Sequence, residues 1–179
     1  MLIAISGPAG SGKTTLARIL SGRLGIQLIS TGQVFRQIAA DRGLDVLQLN
    51  LAAEHDHSID TELDAKIVRM AEGMKSCIVE ARLACLMLRR SGMLPFCIYV
   101  DAPEDVRASR IAERDGMRKD DSLAAMRDRG QSEKRRYMDI YGLDPARLEA
   151  YDLVLDSEHS LPDELADRVV AELKKKGVD

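Results

Sequence analysis

An apolar run, Leu2-Ile3-Ala4-Ile5, leads into Gly7-Pro8-Ala9-Gly10-Ser11-Gly12-Lys13-Thr14-Thr15, and Leu16, Ile19, Leu20 and Leu24 then recur at helical spacing. Strand, glycine-rich turn and helix in that order are the context in which G-x-x-x-x-G-K-[ST] reads as a phosphate-binding loop. Gly7, Gly10 and Gly12 let the backbone adopt positive φ and approach an anion without a Cβ in the way. The freed N–H groups, together with the positive end of the following helix, form a concave anion site. In this pattern Lys13 reaches the β- and γ-phosphates of a nucleotide, and the Thr14 hydroxyl holds Mg²⁺.

The rest of the chain repeats the alternation. Short apolar runs at 26–29, 77–80, 96–101 and 152–156 are separated by helical patterns, the first of which is closed by Gly25. Five strands alternating with helices predict an α/β fold: a parallel sheet covered on both faces, in three layers. Ligands of such sheets sit beyond the carboxyl ends of the strands, where the loop, Ser30-Thr31, Glu80 and Asp101 gather. The stretch from Asp45 to Gly73 reads as helical, with Ser58 or Asp60 near a start, and Ser30 or Thr31 is placed to cap the helix before it. Further helices are expected to begin at Pro103 and near Ser122, the second running to Ile140.

At 179 residues the chain is expected to be one domain: a core of 1–30, 75–103 and 150–179, an insert at 31–74 and a lid at 104–140. The net charge of -3 argues against a nucleic-acid partner, but the charge is uneven. Residues 107–136 hold ten Lys/Arg against six Asp/Glu, a net +4 in a chain that is acidic elsewhere. Arg107, Arg110, Arg114 and Arg118 recur on one helical face; like charges at this spacing repel unless an anion lies against them. Arg129, Glu133 and Arg136 form a second stripe. Arg36, one turn into a helix after the second strand, can point across the cleft to a second phosphate. Glu80 ends an apolar strand, where it can order the waters around Mg²⁺, and Arg82 can fork onto an acceptor phosphate.

Cys77, Cys85 and Cys97 show no C-x-x-C spacing and read as reduced thiols, the first and last inside strands. His55, His57 and His159 read as surface or cap residues. No signal segment or long apolar run is evident, so a cytoplasmic protein without a membrane partner is expected.

These residues together resemble the cytidylate kinases of the short archaeal type, among the nucleoside monophosphate kinases. Beside the phosphate loop, the resemblance rests on Ser30-Thr31-Gly32-x-x-Phe35-Arg36, Ile59-Asp60-x-x-Leu63-Asp64, Ala102-Pro103-x-x-x-Arg107-x-x-Arg110-Ile111-x-x-Arg114, Ser132-Glu133-Lys134-Arg135-Arg136-Tyr137 and Ile140-Tyr141-Gly142-Leu143-Asp144. It implies transfer of the ATP γ-phosphoryl to CMP or dCMP with Mg²⁺; a monomer acting on these small molecules is expected. It also implies that Arg36, Arg82, Arg129 and Arg136 handle phosphates, that Ser30 and Asp60 belong to the acceptor site, and that Glu133 takes the acceptor ribose or a neighbouring Arg. Lys13, Arg110, Arg129 and Arg136 would surround the transferring group, under a lid that stands open and mobile without ligand. Two positions depart from the family pattern: Ala81 between Glu80 and Arg82, and Gly130 after Arg129, which is expected to loosen the lid helix or mark its start. Adenylate, uridylate and shikimate kinases share the loop and the arginine logic. An ATP-dependent switch or assembly factor is the rival of a different class.

Overall fold

Residues 1–142 and 148–178 are described by the structure, a computed structural model. Leu143 and Asp144, which contribute to the resemblance, lie outside the described residues.

The phosphate loop joins β1 (Leu2–Ser6) to α1 (Lys13–Leu24), and Gly25 closes α1 in the left-handed conformation. Then follow β2 (Gln27–Ser30), α2 (Thr31–Asp41), α3 (Val46–His55), α4 (Ser58–Glu72), β3 (Cys77–Glu80), α5 (Ala84–Arg90) and β4 (Phe96–Asp101). The chain continues with α6 (Glu104–Asp115), α7 (Lys119–Tyr141), β5 (Leu153–Asp156) and α8 (Pro162–Lys175). All five strands are parallel, in the order β2-β3-β1-β4-β5, so β1 is central and β3 and β4 flank it.

Strand side chains alternate between faces, and the core divides accordingly. Ala4, Val79 and Cys97 face a cluster with Leu49, Ile59, Leu63, Ile67 and Leu88 of the helices from 46 to 90. Ile3, Ile5, Ile78 and Ile98 face the other side, against Leu16 and Leu20 of α1 and Leu165 and Val169 of α8. The expected three-layer sandwich is what forms. No described helix is long and apolar enough to cross a membrane.

Local chemistry corrects several expectations. The helical stretch after Asp45 is two helices, not one. Asp45 and Gln48 form a reciprocal capping box at the start of α3. The Asp56 carboxylate then accepts from the Ser58 N–H, so a new helix begins where the pattern had read through. Neither hydroxyl caps α2: Ser30 occupies the N-cap position but donates its hydroxyl to Glu80 at 2.7 Å, and the buried Thr31 hydroxyl has no partner. Gly130 neither breaks nor starts a helix, because α7 runs through it from Lys119.

The cysteines also differ. Cys85 and Cys97 form a disulfide, leaving only Cys77 free. Twelve residues separate the pair in sequence, but α5 packs back against β4 and brings their Cα atoms to 5.4 Å. No local spacing could have announced a pairing made by the return of a helix onto its neighbouring strand.

Candidate active site

Gly7, Gly10 and Gly12 take positive φ, as the loop pattern requires. Two of them are glycines for a further reason. A Cβ on Gly7 would lie 2.1 Å from the Val100 carbonyl oxygen, and one on Gly10 would lie 2.6 Å from that of Arg107. The loop is therefore wedged against the end of β4 and the start of α6. Among the described residues, the N–H groups of Gly10, Gly12, Lys13 and Thr14 donate to no protein acceptor, which leaves a cluster of donors at the start of α1.

Lys13 folds back over this cluster. Its ammonium donates to the Pro8 carbonyl at 2.9 Å and lies 3.7 Å from the Glu80 carboxylate. Burial pushes its pKa down to about 7, helped by the Arg82 charge and opposed by Glu80 and Glu133. Parallel register sets Glu80 between Ile5 of β1 and Ser30 of β2, so the carboxylate stands beside the loop with Ser30 bonded to it.

Above the loop lies α7. Arg82, two residues past β3, forms a 2.8 Å ion pair with Glu133, and Arg129 approaches the same carboxylate at 2.8 Å. Burial works against the Glu133 anion, yet Arg82 and Arg129 together hold its carboxyl below its ordinary value. Burial likewise opposes the Arg82 charge, and Glu133, with Tyr137 and Glu80, more than offsets it. One turn further along α7, Arg136 is buried and donates to Asp60 at 2.7 Å, Ser132 at 2.6 Å and Asn50 at 3.4 Å. The C-terminal half of α7 is thus seated against α3 and α4, where an open lid had been expected. A cavity of about 120 Å³ remains between loop and helix, lined by Pro8, Ala9, Arg82, Tyr99, Glu133 and Gly130 among others. A Cβ on Gly130 would meet nothing within 4 Å, so packing does not require glycine there.

The stripe on α6 does not share one fate. Arg107 donates to the carbonyls of Ala102 and Ala9, while Arg114 and Arg118 turn to Asp115 and Asp120. Arg110 binds the outer side of the loop through the Gly10 carbonyl at 3.4 Å, and donates to the Ser157 hydroxyl at 2.8 Å and carbonyl at 2.6 Å. Ser157 in turn donates to the Ser11 carbonyl at 2.8 Å. These two arginines need no anion to relieve their repulsion, because backbone carbonyls already do so. Arg36 is exposed and makes no hydrogen bond or ion pair with any described residue; its guanidinium reaches back along α2 toward Gly32 and the strand edge. Thr15 is exposed, and all three histidines lie on the surface.

Lys13, Ser30, Glu80, Arg82, Arg129 and Glu133 are therefore gathered at one strand edge, with Asp60 and Arg136 one turn away. Ser157 and Asn50 were missed, and Ser132 and Tyr137 stood within the resemblance without roles of their own. Ser157 was within reach of sequence reasoning, since it follows the last strand at the same carboxyl edge, and Ser132 stands four residues before Arg136 on one helix; Asn50 and Tyr137 depend on helix packing.

The cytidylate kinase-like family matches residues 2–159 of the chain. The cytidylate kinase of Sulfolobus acidocaldarius is 35% identical over 178 residues, covering 99% of this chain and 97% of that protein. The cytidylate kinase of Natronomonas pharaonis is 43% identical over 163 residues, covering 91% and 84%. In fold the chain resembles the shikimate kinase of Acinetobacter baumannii, with a TM-score of 0.65 at 16% identity over 99% of this chain and 95% of that one. It is also similar to a gluconokinase of Sinorhizobium meliloti, with a TM-score of 0.64 at 16% identity over 97% and 91%. With a phosphate loop, a parallel sheet of this kind and relatives that span its whole length, the chain belongs to the cytidylate kinase-like family of enzymes.

Proposed function

We propose that this enzyme transfers the γ-phosphoryl group of ATP in line to CMP, and to dCMP, giving ADP and the pyrimidine diphosphate. One observation carries the reading: the anion-binding loop with Lys13 faces the Arg82–Glu133–Arg129 cluster across a single cleft. The free N–H groups and Lys13 hold the donor phosphates. Arg82 and the unpaired Arg36 hold the acceptor phosphate, and Glu133 exchanges its arginine contacts for the acceptor ribose as the phosphate arrives. Phosphoryl transfer asks mainly for alignment and for positive charge around the moving group. No base is assigned, because the attacking oxygen already belongs to a phosphate.

The residues fit Mg²⁺. The Thr14 hydroxyl makes no hydrogen bond with a described residue, and Glu80 offers a hard carboxylate beside the neighbouring Lys13. Among the described residues no cluster of His, Cys, Asp or Glu is built to hold a metal, which suits an ion that arrives with the nucleotide and keeps part of its water shell. Thr14 would hold the ion directly and Glu80 through water. When bound, Mg²⁺ neutralises phosphate charge.

Seating of α7 over the loop excludes water that would otherwise hydrolyse ATP. The site is complete within one chain, which supports a monomer acting on free nucleotides. A coupled assay of ADP release with CMP, dCMP, UMP, AMP, GMP and shikimate tests the reading. Turnover with CMP and dCMP well above the others is expected. ATP consumption without a diphosphate product would overturn it in favour of a switch or assembly factor.

A further inference from the structure

A second cavity, of about 210 Å³, lies beyond the arginine end of the acceptor site. Thr61, Asp64 and Val68 of α4 form one wall, Leu83 and Met87 a second, and Tyr141 at the end of α7 closes it. Three segments run side by side from the phosphate loop to this cavity. On α7 the order is Glu133, Arg136, Tyr141; on α4 it is Asp60, Asp64; after β3 it is Arg82, Leu83, Met87. Cross-contacts hold them in register: Arg82 with Glu133, Asp60 with Arg136, and Asp64 with Tyr141. The track is cationic at one end and mostly apolar at the other, where Asp64 and Arg90, the latter turned to Tyr141, are the charged residues of the lining. A nucleoside monophosphate has the matching polarity, a dianion at one end and a flat ring at the other.

We propose that this cavity receives the base of the acceptor nucleotide, and that Asp64, positioned by Tyr141, selects a pyrimidine with an amino group over one with a carbonyl group at the same place. The inference rests on the acceptor site described under the proposed function.

Size comes first. Apolar cavities of about 150 Å³ accept benzene, so this one admits one six-membered ring with its exocyclic atoms, and a fused purine is crowded. Chemistry decides between pyrimidines. The Tyr141 hydroxyl donates to Asp64 Oδ2 at 2.6 Å, which fixes the carboxyl and leaves Oδ1 to accept a second donor. Arg90 donates to the Tyr141 carbonyl at 3.1 Å and lies over its ring at 5.5 Å, which holds the tyrosine in place. Cytosine offers an N4 amino donor where uracil offers the O4 acceptor. An amino group on a carboxylate makes a charge-assisted bond, whereas a carbonyl there leaves two buried acceptors facing each other.

The test is kcat/KM for CMP and for UMP at pH 8, measured on the wild type, Asp64→Asn and Ala65→Leu, with folding followed by circular dichroism. In Asp64→Asn the amide can donate to O4, so the CMP/UMP ratio should fall on the order of ten- to a hundred-fold. A merely structural role would lower both substrates together and leave the ratio within about two-fold, and that result overturns the proposal. Ala65→Leu fills the cavity without touching the carboxyl, so KM for CMP should rise at least ten-fold with ATP affinity unchanged. An unchanged KM overturns the proposal even if the Asn variant fails to fold. A wild type that turns over CMP normally while either variant behaves in the overturning way sinks this inference alone. A wild type that extends no monophosphate sinks the parent reading as well.

Discussion

Asp60 and Arg136, 76 residues apart in the chain, meet at 2.7 Å with both side chains closed off from solvent. One stands on α4 and the other on the long helix over the loop, so this pair ties α4 to α7.

Breaking that pair from one side strands a buried charge. Arg136→Met or Asp60→Leu alone should cost on the order of 3–5 kcal/mol, and the double variant should recover much of the loss. Urea unfolding of the three proteins checks this. Losses that simply add would mean that the pair does not act as a unit.

Arg36 and Arg82 are both assigned to the acceptor phosphate, yet their structural debts differ. Arg36 is exposed and unpaired, so Arg36→Ala should leave stability within about 0.5 kcal/mol while raising KM for CMP on the order of ten-fold or more. Arg82 neutralises the buried Glu133, so Arg82→Ala should lower both acceptor affinity and melting temperature. Equal melting behaviour of the two variants would contradict the assignment of Arg82 as a structural ion-pair partner.

Lys13→Met should reduce kcat by about 10²–10³ or more with the fold intact. It also has a signature in stability. The folded-state pKa is about 7 against an ordinary 10.5, so between these values the unfolded chain binds the extra proton and wild-type stability rises with pH. Lys13→Met should flatten that rise. Denaturation between pH 7 and 10 compares the two slopes.

Burial lifts the Asp64 carboxyl to about 6 from an ordinary 3.8, with Tyr141 opposing and Asp60 assisting the shift. Here the folded state binds the extra proton, so stability is full below the unfolded value and declines as pH rises through about 6. Asp64→Asn should remove that decline and match or exceed wild-type stability at neutral pH, by about 1 kcal/mol after allowance for partial exposure. Melting curves from pH 4 to 8 would show a parallel decline in both proteins if Asp64 were not its source.

The disulfide predicts a labelling pattern. Unfolded without reductant in the presence of iodoacetamide, the chain should carry one adduct, on Cys77; after reduction it should carry three. Intact mass reads the number directly.

Much of the site was legible because its signals are local. A strand, a glycine loop, Lys13 and a helix are contiguous, and the strands at 77–80 and 96–101 end where their apolar runs end. Parallel strands then carry Ser30 and Glu80 to the loop, since every carboxyl end points the same way. Partners were a different matter. That Ser30 serves Glu80 instead of capping its helix, that Arg110 holds Ser157, that Arg136 is buried on Asp60 and that Cys85 meets Cys97 all depend on which helix returns over which strand. Periodicity along the chain sets which residues share a face, and so the layers, the loop and the edge at which the chemistry gathers are written in the order of the residues. Arg129 and Glu133, four residues apart on one helix, pair within reach of the sequence. Which distant charge neutralises which was decided by tertiary packing, because an ion pair or a disulfide between different elements forms between atoms within a few ångströms of each other, and separation along the chain does not encode that distance.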